Sequence, residues 1–210
     1  MLSFTAYTST IIQVITGLVN IYGLTLQVPD SKKLIKNLLK VETTVQIIEL
    51  IFYIWMVYNI TNINNITQYR YVDWFFTTPI MLITLMTFID GKTKNVFEYI
   101  KKEKIDVSII IFLNALMLLF GFLGEIKYLD VQLSLILGFI PFILYYYLIY
   151  KKLEINNQNI NKQLLFWFYF IFWSLYGVAA GLEYNLKNAM YNILDLFAKN
   201  LFGIFLFFNL

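Results

Sequence analysis

Cysteine and histidine are absent from the 210-residue chain, proline occurs three times and arginine once. Without cysteine there is no disulfide and no thiolate metal site; without histidine the commonest metal ligand and general base are gone. Metalloenzymes and hydrolases of the Ser-His-Asp or Cys-His kind are disfavoured at once, and nothing else in the sequence points to an enzyme. Charge is scarce too. Only 14% of residues are charged, against about 25% in a typical soluble domain. A soluble chain of this length exposes more charge than that, so a bundle of membrane helices is expected.

What fills the sequence is hydrophobic: 60% of residues, with a mean hydropathy of +0.67. Crossing the hydrocarbon takes about 20 apolar residues. Runs of that length fall near 6–28, 38–60, 68–89, 106–124, 130–150, 163–182 and 189–209. The breaks between them are short and polar, as in "QVPDSKK" and "NITNINNITQ". The expected fold is therefore an all-α seven-transmembrane helix bundle forming a single domain over 1–210. The opening "MLSFTAYTSTIIQ" lacks the basic stretch of a signal peptide, so the first run is expected to remain as a helix.

The lysines set the orientation. Loops one, three and five carry Lys32, Lys33, Lys36 and Lys40, then Lys92, Lys94, Lys101, Lys102 and Lys104, then Lys151, Lys152 and Lys162. Loops two, four and six carry only Lys127 and Lys187. Positive residues stay inside, which predicts an extracellular N-terminus and a cytoplasmic C-terminus.

Six charged residues lie within or at the edges of the spans: Glu42 and Glu49 on the second, Arg70 and Asp73 on the third, Asp195 and Lys199 on the seventh. A charge at mid-membrane costs at least about 2.5 kcal/mol, so such residues usually face the bundle interior. The alternative is an interior salt bridge that only fixes packing. Asp195 and Lys199 are four apart and share a helix face, as do Arg70, Asp73 and Thr77. A lysine turned into a permanent cation by an aldehyde needs a carboxylate beside it, and Asp73 and Asp195 are placed to serve.

"RYVDWFFTTP" in the third span and "DLFAK" in the seventh resemble the microbial (type 1) rhodopsin signature. The resemblance covers the whole chain in topology and implies all-trans retinal on Lys199 as a Schiff base. It further implies Asp73 as primary counter-ion and proton acceptor, Asp195 as second counter-ion and Arg70 as the movable arginine. Trp74 would stack on the polyene, Thr77 would hydrogen-bond Asp73, and Thr78 would line the pocket. "FWSLYG" supplies Trp173 and Tyr176 for the ring sandwich and the second counter-ion. "NALMLLFG" supplies Asn114 and Met117, with Asn114 able to pair with Thr78. Two departures stand out: Gly177 replaces the family's proline after the tyrosine, and Ala180 its second pocket tryptophan.

Pump wiring of the bacteriorhodopsin kind is altered at both ends. The donor place on the third span holds Thr84, and a release glutamate on the seventh is Lys187, with Glu183 as a possible stand-in. Glu49, one turn before Tyr53, together with Asn200 and Thr16, matches the central gate of channelrhodopsins. Brevity and the second-span glutamate also look similar to the viral rhodopsins of large algal DNA viruses, which implies a host cell membrane. The expected function is a retinal-binding, light-gated cation channel gated by Glu49, Asn200 and Thr16. The alternatives are an outward proton pump with Glu42 as donor, a sensory photoreceptor, and for Glu42 simple pairing with Lys36 or Lys40. Expected partners are the lipid bilayer and transported cations or protons, with homo-oligomers open, and no nucleic acid.

Overall fold

A computed structural model describes residues 1–62 and 65–210. Among these, regular structure is helical throughout. The long helices are α1 (Leu2–Thr25), α2 (Lys33–Asn59) and α3 (Thr67–Asp90). After a short helix α4 (Val96–Lys102) come α5 (Lys104–Glu125), α6 (Val131–Lys152) and α7 (Ile160–Ala180). The last span is composite: α8 (Tyr184–Asp195), a π-helical turn (Leu196–Asn200) and α9 (Leu201–Phe208). Seven of these units are long and apolar enough to cross a bilayer.

Local chemistry explains the ends. α1 stops at Thr25 because Pro29 follows, and Leu26 is already extended, with ψ of 139°. The apolar run had suggested three more helical residues. Conversely, α2 begins five residues earlier than its apolar run, with a polar first turn that hydrophobicity alone does not register. α3 ends on Gly91 at φ +63°, the left-handed cap that glycine adopts at little cost. α4 lies in a charged stretch read as loop; its Asn95 cap accepts from the Glu98 N–H at 2.9 Å.

Lysines of the odd loops also close helix ends. Lys36 donates to Leu26 O just past α1, Lys162 to Ile89 O in α3, and Lys32 to Asn209 O just past α9, each at 2.6 Å. Cations there satisfy orphan carbonyls and oppose the negative end of the helix dipole. One end of the bundle is thus lysine-rich, and three helices terminate on it.

Packing puts chemistry in the middle. Over the apolar window of each span, 61% of α3 and 56% of α8–α9 is buried, against 22% of α1. Ile51, Ile54, Phe75 and Phe76 point outward, as a lipid-facing surface requires. The two most enclosed helices are those carrying Arg70, Asp73, Asp195 and Lys199.

Candidate functional site

Lys199 sits inside the π-helical turn, a local widening of the kind found at functional sites. Its Nζ lies 2.6 Å from Asp73 Oδ2, 3.5 Å from Glu49 Oε1 and 3.6 Å from Asp195 Oδ1. Three helices therefore deliver carboxyl groups to one ammonium, and Glu49 is fully buried beside it. Arg70 completes the cluster through Asp195 Oδ2 at 3.3 Å. Three carboxyls thus face two basic groups in one buried cluster, where each charge depends on its partners.

On the lysine-poor side the cluster is densely hydrogen-bonded. Asp195 accepts from Tyr53 and Tyr176, both at 2.7 Å. Arg70 Nε donates to Asn188 Oδ1 at 3.0 Å, and its NH2 group donates to Asn192 Oδ1 and contacts Met56 Sδ at 3.3 Å. The rings of Phe52, Tyr53 and Tyr191 surround the guanidinium at 5.6–5.8 Å, a cation–π arrangement. Asn188 and Asn192, absent from the sequence reading, precede Asp195 and Lys199 at helical spacing; buried amides in a spanning helix were the available signal.

An apolar cavity starts at Lys199 and encloses about 770 Å³, counting its mouth. Trp74, Thr78, Met117, Trp173 and Tyr176 line it, along with Met81, Phe139 and Phe142. Thr77 and Asn114 do not reach it. Asn114 stands behind the wall, donating to Thr78 Oγ1 at 2.8 Å. Thr77 donates to the backbone oxygen of Asp73 at 2.9 Å rather than to its carboxylate, because a threonine in a helix has the i−4 carbonyl within reach. Gly177 is explained by Phe139: a Cβ there would come within 2.5 Å of that ring. Gly177 and Ala180 both line the cavity, and the space left by the glycine is taken up by the Phe139 ring.

The three residues expected to form a gate, Glu49, Asn200 and Thr16, are not all joined. Asn200 donates to Thr16 Oγ1 at 2.9 Å, but Glu49 turns to the Lys199 charge instead. Gln46, one turn earlier, takes its place: it donates to Thr16 Oγ1 and accepts from Asn20 at 2.6 Å. Thr5, Ser9, Gln13, Thr16 and Asn20 make a polar seam along the inner face of α1, with Ser9 and Thr5 bonded to Asn192.

Glu42 is 2% exposed and accepts a hydrogen bond from Thr84. Pairing with Lys36 or Lys40 is not formed; Lys36 caps α1 instead. Thr84 on α3 thus has a carboxyl brought beside it from α2. At the other end Lys187 pairs with Glu125 at 2.7 Å, while Glu183 is exposed and outside the cluster.

A family model described as bacteriorhodopsin-like protein matches residues 1–210. Among solved structures, the viral rhodopsin OLPVRII is 29% identical, with a TM-score of 0.87 over 98% of this chain and 95% of that one. The proton pumping rhodopsin AR2 from the marine alga Acetabularia acetabulum is 18% identical, with a TM-score of 0.78 over 98% and 92%. The thermophilic rhodopsin from Rubrobacter xylanophilus is 18% identical, with a TM-score of 0.79 over 99% and 95%. The latter two share the fold. No curated protein matches the sequence.

Proposed function

The chain belongs to the bacteriorhodopsin-like family, and we propose that it holds retinal on Lys199 and moves protons outward across a membrane in response to light. The site residues fit such a group: an apolar cavity walled by Trp74 and Trp173 ends on a buried amine. Bound there, all-trans retinal supplies light absorption and the change of shape that follows.

Asp73, 2.6 Å from the Lys199 nitrogen, is the acceptor for a proton leaving that atom. Asp195 is fixed by Tyr53, Tyr176 and Arg70 and supplies negative charge that does not move. Arg70, caged by Asn188, Asn192 and aromatic rings, blocks back-flow on the lysine-poor side. Glu42 returns a proton to the nitrogen from the lysine-rich side, which the positive-inside rule places in the cytoplasm.

One observation carries this reading: Glu42 is buried and bonded to Thr84, two helical turns from Glu49 on the same face of α2. Seven residues correspond to about 10 Å of rise, so acids stand on both sides of the Lys199 nitrogen. The barrier between Glu42 and the lysine-rich end is apolar, with Leu38, Leu39, Leu85 and Met86 buried.

A light-gated cation channel is the second reading, favoured by the α1 seam and the Thr16–Gln46–Asn200 bonds; buried amides across a membrane are costly and mark pathways. Photocurrents under voltage clamp separate the two. A pump's current keeps its direction as the ion gradient is inverted, which is the expected result. A current that reverses with the gradient would make the protein a channel, and silence with a slow photocycle would make it a sensor.

A further inference from the structure

Two tyrosine hydroxyls in the lysine-rich half have no part in the mechanism above. Tyr146 on α6 is 2% exposed and Tyr169 on α7 is 0% exposed, and neither hydroxyl has a hydrogen-bond partner within the protein. Leaving a buried hydroxyl unpaired costs about 1–3 kcal/mol, so two together call for an explanation. Core packing alone is served as well by phenylalanine, which surrounds both: Phe166 and Phe170 lie against Tyr146, and Phe202 lies against Tyr169.

Their place in the bundle is specific. Each stands one helical turn beyond a cavity-lining residue, Tyr146 after Phe142 and Tyr169 before Trp173, on the side toward the lysine-rich end. Thr84 stands the same step beyond Met81, and its partner is Glu42. Four helices thus bring Glu42, Thr84, Tyr146 and Tyr169 to one layer just above the cavity. Burial bears most on the Tyr169 hydroxyl, and Glu42 and Tyr146 lie close enough to act on it as well.

We infer that Tyr146 and Tyr169 hold water against Glu42, and that this water delivers to Glu42 the proton it passes toward Lys199. The inference rests on Glu42 being the donor. Each hydroxyl accepts one proton and gives one up, so neither changes charge; the replacement proton comes from solvent at the lysine-rich face. A polar layer of this kind holds bridging water wherever two or more partners converge.

Tyr146→Phe and Tyr169→Phe remove only the hydroxyls and keep the rings in place. In flash photolysis of the retinal-loaded protein, each variant is expected to leave proton loss from the Lys199 nitrogen unchanged. Its regain is expected to slow about tenfold, the rate equivalent of one hydrogen bond. The Glu42 carboxyl stretch in difference infrared spectra is expected to shift in both variants. A high-resolution structure of the retinal-free protein is expected to show water within hydrogen-bond distance of both hydroxyls. Unchanged regain and an unshifted stretch in both variants would overturn the relay. Glu42→Gln, measured alongside, separates the failures: unchanged regain there removes Glu42 as donor, whereas slowed regain there with normal tyrosine variants removes only the relay.

Discussion

The two halves of the bundle are built on opposite plans. Toward the lysine-poor end, Arg70, Asp195, Tyr53, Tyr176, Asn188 and Asn192 make one continuous hydrogen-bonded cage. Toward the lysine-rich end, leucine, methionine and aromatic rings fill most of the interior, and Glu42, Thr84 and the hydroxyls of Tyr146 and Tyr169 make one thin polar layer among them. In a low dielectric the caged half fixes charge in place, since every group there answers another. The dry half does the reverse: a proton on Glu42 has few places to go until the packing loosens. This asymmetry, more than any single residue, gives the Lys199 nitrogen a direction in which to lose a proton and another from which to regain one.

The largest test removes the group between the halves. Lys199→Ala is expected to give a protein that folds but shows no visible absorbance after incubation with retinal; a coloured product would end the assignment of Lys199. Next comes the cage. Arg70→Leu leaves Asp195 buried without its guanidinium, and deleting one partner of a buried pair costs about 3–5 kcal/mol. The thermal unfolding midpoint of the retinal-free protein is expected to drop accordingly, and an unchanged midpoint would show that the tyrosines and Lys199 secure Asp195 without it. In the dry half the effect is smaller. Thr84→Val removes the hydroxyl bonded to Glu42, at about 1–3 kcal/mol. It is expected to slow proton regain, because the anion left when Glu42 gives up its proton loses that donor, and to leave proton loss untouched. Faster regain in flash photolysis would show that the bond restrains Glu42 instead.

The contrast also decides what the sequence could reveal. Arg70, Asp73, Asp195 and Lys199 announce themselves because charge in hydrocarbon is costly, and their spacing alone puts them on shared faces. Depth along α2 placed Glu49 near Lys199, but spacing does not fix which way a long side chain turns. The Lys199 charge draws it away from Thr16, and Gln46 fills the vacated contact. Neutral groups were harder to find. Gln13, Gln46, Asn188 and Asn192 carry no charge, so a count of charges passes over them although they build the seam and the cage. The family resemblance implies a hydrogen bond from Thr77 to Asp73, and the backbone carbonyl of Asp73, nearer than its carboxylate, takes that bond. The unpaired hydroxyls of Tyr146 and Tyr169 are invisible in a sequence with 16 tyrosines; only their burial singles them out.

The smallest expected effect lies at the lysine-rich rim, where α4, α5 and α6 are tied by exposed ion pairs. Lys152 Nζ lies 2.7 Å from both Glu103 and Asp106, and Lys102 lies 3.4 Å from Glu103. The hydrogen bond from Lys152 does most to hold the Glu103 carboxyl below the usual carboxylate range; burial opposes it, and the Lys152 charge with the hydrogen bond and charge of Lys102 add to it. A carboxyl depressed in the folded protein stabilises fully above its unfolded value of about 4.3. That contribution disappears as the pH falls through the lower folded value. The Lys152 and Lys102 side chains are 39% and 48% exposed and so screened by solvent and salt, which keeps the contribution under about 1 kcal/mol. Glu103→Gln is therefore expected to lower the unfolding midpoint by a degree or two at pH 7, at low salt, and to make no difference at pH 3 or in molar salt. A loss that persists at pH 3 would mean that Glu103 holds α4 by packing rather than charge, and that the rim belongs with the caged half of the molecule instead of the dry one.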